Sequence, residues 1–129
     1  TVCYAGTRVN RIYIPPPEEF YRKEGGAKIT VNYTGFNSLA KGAFQYAVSI
    51  LSSILPENAS FNIKAVFEPL SDPNVLAQAS ATYFMKGSAI NAFDPLAYYS
   101  APLAEKISGI SFNDISEPDV EISVNSLVT

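Results

Sequence analysis

Residues 28–70 constrain the fold more than any other stretch, because their hydrophobic period runs from two to about 3.6 and back to two. In 28–34 the side chains Ile29, Val31 and Tyr33 alternate with Thr30 and Asn32, which predicts a strand with one buried face. Gly35 ends it, and Asn37 or Ser38 is placed to cap a helix. Over 39–55, Phe44, Ala47, Val48, Leu51, Ile54 and Leu55 recur at three- and four-residue spacing, with Lys41, Gln45, Ser49 and Ser52 expected on the opposite side. Pro56 stops the helix, since it has no N–H to donate and does not fit a further turn. Phe61, Ile63, Ala65 and Phe67 then alternate with Asn62, Lys64 and Glu68 as a second strand. If the two strands share a sheet in parallel, the helix is a right-handed crossover laid over one side of it.

The rest of the chain organises around this unit. Residues 1–27 form an extended lead-in: weak alternation around Val9, Ile12 and Ile14 suits a short edge strand or an arm, Pro15, Pro16 and Pro17 fix a stiff bend, and 18–24 is long enough for one helical turn. Residues 28–129 form a single domain. A turn at Pro69, Asp72, Pro73 and Asn74 leads to a strand over 77–84, where Ala77, Ala79, Ala81 and Tyr83 alternate with Gln78, Ser80 and Thr82. Ser100 caps a short helix over 101–108, with Pro102 in its first turn and Gly109 as its stop. Val120, Ile122 and Val124 make a last strand, and a sheet ending on such a strand suggests that the polypeptide continues. The expected class is α+β with a β-α-β start: a mixed, twisted sheet of about four strands backed by the helices 39–55 and 101–108.

Composition narrows the chemistry. The 129 residues hold no histidine and one cysteine, so the three or four imidazole or thiolate ligands of a zinc site cannot come from this chain. No histidine base stands ready for a serine nucleophile, no glycine-flanked elbow occurs, and no carboxylates fall at the spacing of a calcium loop. A carboxylate pair for glycoside hydrolysis could be drawn from residues such as Asp94 and Glu105, but a cap residue and a solvated helix face are the favoured account of them. A net charge of −3, with nine scattered Lys and Arg, argues against a nucleic-acid surface. No apolar run reaches the 18 or so residues of a membrane span. Cys3 has no internal disulfide partner, and low thiol content is compatible with export. Asn32 and Asn58 begin triplets of the N-glycosylation form. Core and rim packing is the ordinary use of Tyr83, Phe93, Tyr98 and Tyr99, which are also the candidate ligand surface, an aromatic platform for a sugar or a peptide.

The segments Ile29-Thr-Val-Asn-Tyr-Thr-Gly-Phe36, Ala43-Phe-Gln-Tyr-Ala-Val-Ser-Ile50 and Asn62-Ile-Lys-Ala-Val-Phe67 resemble the opening of secreted zincin-like domains found in Bacteroidetes-type surface proteins. The Leu-Ala-Glu-Lys-Ile-Ser-Gly run within 98–110, the strand Asp119-Val-Glu-Ile-Ser-Val-Asn-Ser126 and the leader Arg11-Ile-Tyr-Ile-Pro-Pro-Pro-Glu-Glu-Phe20 are similar to later and earlier parts of the same proteins. In that family the metal-binding His-Glu-x-x-His helix follows the point where this sequence stops, so the resemblance carries no catalytic or zinc-binding residue onto any position here. It implies a non-catalytic N-terminal scaffold of an exported metallopeptidase-like protein, secreted or at the cell surface. Its partner would be the remainder of its own polypeptide, and any zinc would sit in the full-length protein. The alternative from a different class is a stand-alone secreted or cell-surface binding or adhesion module that recognises a protein or glycan.

Overall fold

The computed structural model describes residues 1–4, 15–22, 26–114 and 116–128; the side chains of residues 19 and 22 are not described. Val9, Ile12 and Ile14 of the lead-in fall outside those residues. The strands are β1 (Val2–Tyr4), β2 (Lys28–Thr34), β3 (Ser60–Glu68), β4 (Val75–Ala81), β5 (Phe84–Lys86), β6 (Tyr98–Ser100) and β7 (Val120–Asn125). The α-helices are α1 (Glu18–Arg22), α2 (Ser38–Ile54) and α3 (Ala101–Ser108). Five strands form a mixed sheet in the order β1-β4-β7-β3-β2, and β5 and β6 form a separate antiparallel pair.

The β2-α2-β3 unit is the parallel crossover that follows when its two strands share a sheet. β2 and β3 run parallel, with Ile29 beside Phe61, Val31 beside Ile63 and Tyr33 beside Ala65. Gly35 leaves β2 with a φ of +76°, and the carbonyl oxygen of Phe67 lies where a Cβ would stand, so both backbone sign and space demand glycine. Asn37 is the cap, its Oδ1 accepting from Ala40 N at 2.8 Å. The polar row of α2 does not simply face solvent: Lys41 Nζ lies 5.0 Å above the Tyr33 ring, and Ser52 Oγ donates to Ala27 O at 2.7 Å. This row is therefore the flank that overlooks β2, and Ala47, Leu51 and Ile54 of the expected apolar stripe are exposed instead.

Strand order gives the whole sheet two contrasting faces. β7 runs parallel to β3 and antiparallel to β4, which sets Ala77 beside Val124, Ala79 beside Ile122 and Ala81 beside Val120. Because side chains alternate along each strand, these residues share one apolar face with Ile29, Val31, Tyr33, Phe61, Ile63, Ala65 and Phe67. Ile63 and Ala65 are fully buried there. Phe36, Phe44, Tyr33 and Phe67 close over one end of that face, with Tyr33 edge-on to Phe36 at 5.3 Å and to Phe44 at 5.7 Å. The other face is polar: Lys64 pairs with Glu121 at 2.9 Å, and Ser123 donates to Glu68 at 3.3 Å. Both members of the ion pair are about half exposed, so it contributes about 0–1 kcal/mol.

The expected strand over 77–84 is instead broken in two. Thr82 donates N–H to Asp119 O at 3.0 Å and its hydroxyl to Pro118 O at 2.6 Å, while Tyr83 O accepts from Ala101 N. The Thr82–Asp119 bond keeps the β4–β7 register one residue past Ala81, and the chain leaves the sheet after it, where Tyr83 O turns to Ala101 N and Phe84 opens β5. Two buried polar residues hold the ends of β7. Asp119 accepts from Asn62 N at 2.7 Å and from Asn113 Nδ2 at 2.9 Å. Asn125, 1% exposed, donates to Val75 O at 2.8 Å and to Asp72 O at 3.4 Å, and accepts from Leu70 N and Leu127 N. Every bond that amide can make is made, which is the condition for burying it.

Candidate functional site

The excursion between β4 and β7 carries the candidate surface. β5 and β6 pair so that Lys86 faces Tyr98, Met85 faces Tyr99 and Phe84 faces Ser100. Alternation sends Met85 and Tyr99 to the inner side and leaves Phe84 and Tyr98 on the outer one, 57% and 70% exposed. The loop between the two strands is tied to itself. Gly87 N donates to Ala97 O, Ser88 N to Pro95 O and Ala92 N to Gly87 O, at 2.8–3.0 Å. Gly87 is buried against the carbonyl of Asp94, which occupies the position a Cβ would need. This closed loop presents Phe93 as a wholly exposed ring, with Leu96 beside it in sequence at 76% exposure.

Three of the four aromatic residues expected to form a ligand surface are thus exposed: Tyr83, Phe93 and Tyr98. Tyr99 has a structural part, its hydroxyl accepting from Asp94 N at 3.2 Å and donating to Asp94 O at 3.4 Å. Among the described residues, no ring of this group pairs with another of them. The surface is a set of separate apolar projections and not a stacked platform. Tyr83 donates to Glu117 at 3.0 Å, and that hydrogen bond, reinforced by the carboxylate charge, holds its hydroxyl above the ordinary value of 10.0. Phe84, which sequence periodicity places inside a strand, is the exposed residue missed from the set; only the break at Thr82 and Tyr83 brings it outward.

The two candidate carboxylates serve separate loops. Asp94 Oδ1 accepts from Leu96 N at 2.9 Å and from Ala97 N at 3.3 Å. Glu105 Oε1 accepts from Phe112 N at 2.8 Å and Ser111 Oγ at 3.2 Å, fastening the segment after α3. Asp114 likewise closes a turn, and the bonds from Ser116 N and Oγ hold its carboxyl below the ordinary 3.8. Among the described residues no three His, Cys, Asp or Glu side chains gather where they could hold a metal ion. Cys3 is exposed on β1 as a free thiol.

An open cavity of about 650 Å³ lies between α3 and the turn from α2 to β3. Leu55, Pro56, Phe61, Pro102, Leu103 and Ile110 make its walls apolar. Its polar groups are engaged: Lys106 donates to Asn58 Oδ1, and Glu105 is held as described. No helix among the described residues is long and apolar enough to cross a membrane.

Comparison with protein-family models, with curated proteins and with solved structures finds no match for this chain.

Proposed function

We propose that this chain is the non-catalytic N-terminal scaffold of an exported, metallopeptidase-like protein, a wall against which further polypeptide packs. The observation that carries this is where the exposed apolar side chains fall. Of the eighteen large apolar or aromatic side chains exposed among the described residues, eight stand between Tyr83 and Ile110. Phe84, Phe93 and Tyr98 alone expose the area of more than two aromatic residues, roughly 350–580 Å² at about 150–250 Å² each. Although the projections are separate, exposed apolar area on that scale matches the largest patch of an ordinary monomer, a kind of surface that is often functional, and it supports a face for further polypeptide.

The zincin-like resemblance of residues 29–36, 43–50 and 62–67 supplies the identity of that body: the following part of the same chain. Any zinc and its catalytic water belong to that part, since the ligand set is not among the residues here. The coding sequence beyond Thr129 tests the proposal. A His-Glu-x-x-His motif within about one domain length, roughly 100 residues, is the expected result. A stop codon directly after Thr129 overturns it.

A second function, a secreted or cell-surface module that binds a protein or glycan, is favoured by one specific feature. The loop that carries Phe93 is closed by its own backbone hydrogen bonds, so the ring is presented without further ordering, and preorganisation of this kind lowers the entropic cost of recognition. Screening the chain against glycan and peptide arrays tests it. Binding lost in Phe93→Ala and Tyr98→Ala supports this function, whereas binding that survives both substitutions removes it.

A further inference from the structure

β2 is an outer strand of the five-stranded sheet, and its backbone is arranged for pairing. Lys28 N donates to Ala59 O at 2.9 Å, and Lys28 lies beside Ser60 in the parallel register. In the regular ladder that follows, Lys28, Thr30, Asn32 and Thr34 turn their N–H and C=O groups toward β3. Ile29, Val31 and Tyr33 turn theirs outward, and among the described residues nothing pairs with them.

An outer strand is ordinarily protected by proline, a bulge, repeated charge or a covering element. β2 has no proline, bulge or repeated charge: its pairing with β3 is unbroken over seven residues, and Lys28 is its only charge. We infer that β2 pairs antiparallel with β2 of a second copy about a two-fold axis through Val31, joining two sheets into one.

The register follows from the outward groups. With Val31 on the axis, Ile29 faces Tyr33 of the second copy and Val31 faces its own counterpart. All three facing pairs consist of residues whose N–H and C=O point across the seam, giving about six interchain bonds. A slip of one residue sets outward groups against inward ones and loses the ladder. The side chains agree with this register. Ile29, Val31 and Tyr33 lie on the apolar face in both copies, so the seam continues that face with β-branched and aromatic neighbours.

Charge agrees as well. Lys28 comes opposite Thr34, so no like charges meet along the paired strands. About six bonds at one per 100–200 Å² correspond to roughly 600–1,200 Å² of interface, the range of a weak, reversible dimer.

Thr30 and Asn32 provide the test, because both are exposed on the polar face and face each other across the seam. Sedimentation velocity on the 129-residue chain, taken up to about 100 μM, should show a reversible dimer with a Kd on the order of 10 μM. Thr30→Lys/Asn32→Lys places lysines opposite lysines and should weaken the dimer at least about tenfold, whereas Thr30→Lys/Asn32→Glu pairs opposite charges and should restore it. Circular dichroism should give both variants the wild-type spectrum. Amide exchange at Ile29, Val31 and Tyr33 should slow as concentration rises, while Thr30 and Asn32 stay protected throughout. Three outcomes overturn the pairing: a wild-type chain that stays monomeric, a doubly lysine-substituted chain that dimerises undiminished, or a charge-paired variant that fails to recover.

Discussion

Tyr33→Phe is expected to stabilise this protein. The Tyr33 hydroxyl is buried and, among the described residues, has no hydrogen-bond partner. Burying a hydroxyl without a partner costs about 1–3 kcal/mol in protein mutational data. Deleting one oxygen leaves a void of at most ~15 Å³, worth about 0.4 kcal/mol at about 24 cal/mol per Å³. The edge-on contacts with Phe36 and Phe44 and the Lys41 ammonium over the ring survive in phenylalanine. The net gain is about 0.6–2.6 kcal/mol. For 129 residues at about 2.1 cal/mol/K each, that raises Tm by roughly 2–10 °C. Urea melts should show the midpoint rising with an unchanged slope.

The same residue predicts a pH dependence. Desolvation raises the Tyr33 hydroxyl above its ordinary 10.0. A raised folded value contributes stability that is fully present below the unfolded value and is lost as pH rises through the folded one, because the unfolded chain ionises first. Wild type therefore loses this contribution above about pH 10 and Tyr33→Phe has none to lose, so the advantage of the variant should widen there. A loss of more than about 0.5 kcal/mol on substitution at neutral pH would show that the hydroxyl is bonded after all and would refute the reasoning.

Four further substitutions probe other parts of the molecule by the same urea melts. Asn125→Ala strands Val75 O, Leu70 N and Leu127 N, and should cost about 3–5 kcal/mol; a loss under about 1 kcal/mol would mean that the 70–75 turn re-forms its bonds elsewhere. Gly35→Ala meets both a φ of +76° and the Phe67 carbonyl, so a loss above about 2 kcal/mol is expected, and a near-neutral result would contradict that close approach. Phe44→Ala opens the ring cluster over Tyr33 and Phe36 and should cost about 2–4 kcal/mol, with less than about 1 kcal/mol meaning that the helix face is assigned wrongly. Phe93→Ala should leave stability within about 0.5 kcal/mol of wild type, because the ring is wholly exposed; a larger loss would mean that it packs inside the fold.

Much of the candidate surface is legible in the amino-acid sequence. Aromatic residues clustered in 83–99 flag the segment, and three of the four named stand exposed. Tyr99 and Phe84 exchange parts because their exposure depends on where the chain leaves the sheet after Thr82, and the bond that holds Tyr83 there comes from Ala101, distant in sequence. Asp94 and Glu105 give no local sign of their loop-closing bonds, since a carboxylate reads alike whether it caps a turn or stands free in solvent. Asn125 is legible only as a polar position in an alternating strand. Its burial depends on the 70–75 turn folding over it.

Local physics alone determined the elements of the β-α-β unit: side-chain period decides which face of a strand is apolar, Asn37 and Gly35 suit a cap and a left-handed exit, and Pro56 and Gly109 end helices wherever they are placed. It did not decide the inward side of α2, where Leu51 and Ile54 of the expected stripe stand exposed while Ser52 bonds to Ala27 O. Tertiary structure alone decided that β7 inserts between β3 and β4, that β4 stops at Ala81, and that β2 is left on the outside of the sheet. Those outcomes depend on which alternating strands find one another. A period of two specifies a strand's two faces but says nothing of its neighbours, and here the partners are chosen by contacts many residues apart: Ala77, Ala79 and Ala81 against Val124, Ile122 and Val120, and Asp119 on the backbone of Asn62.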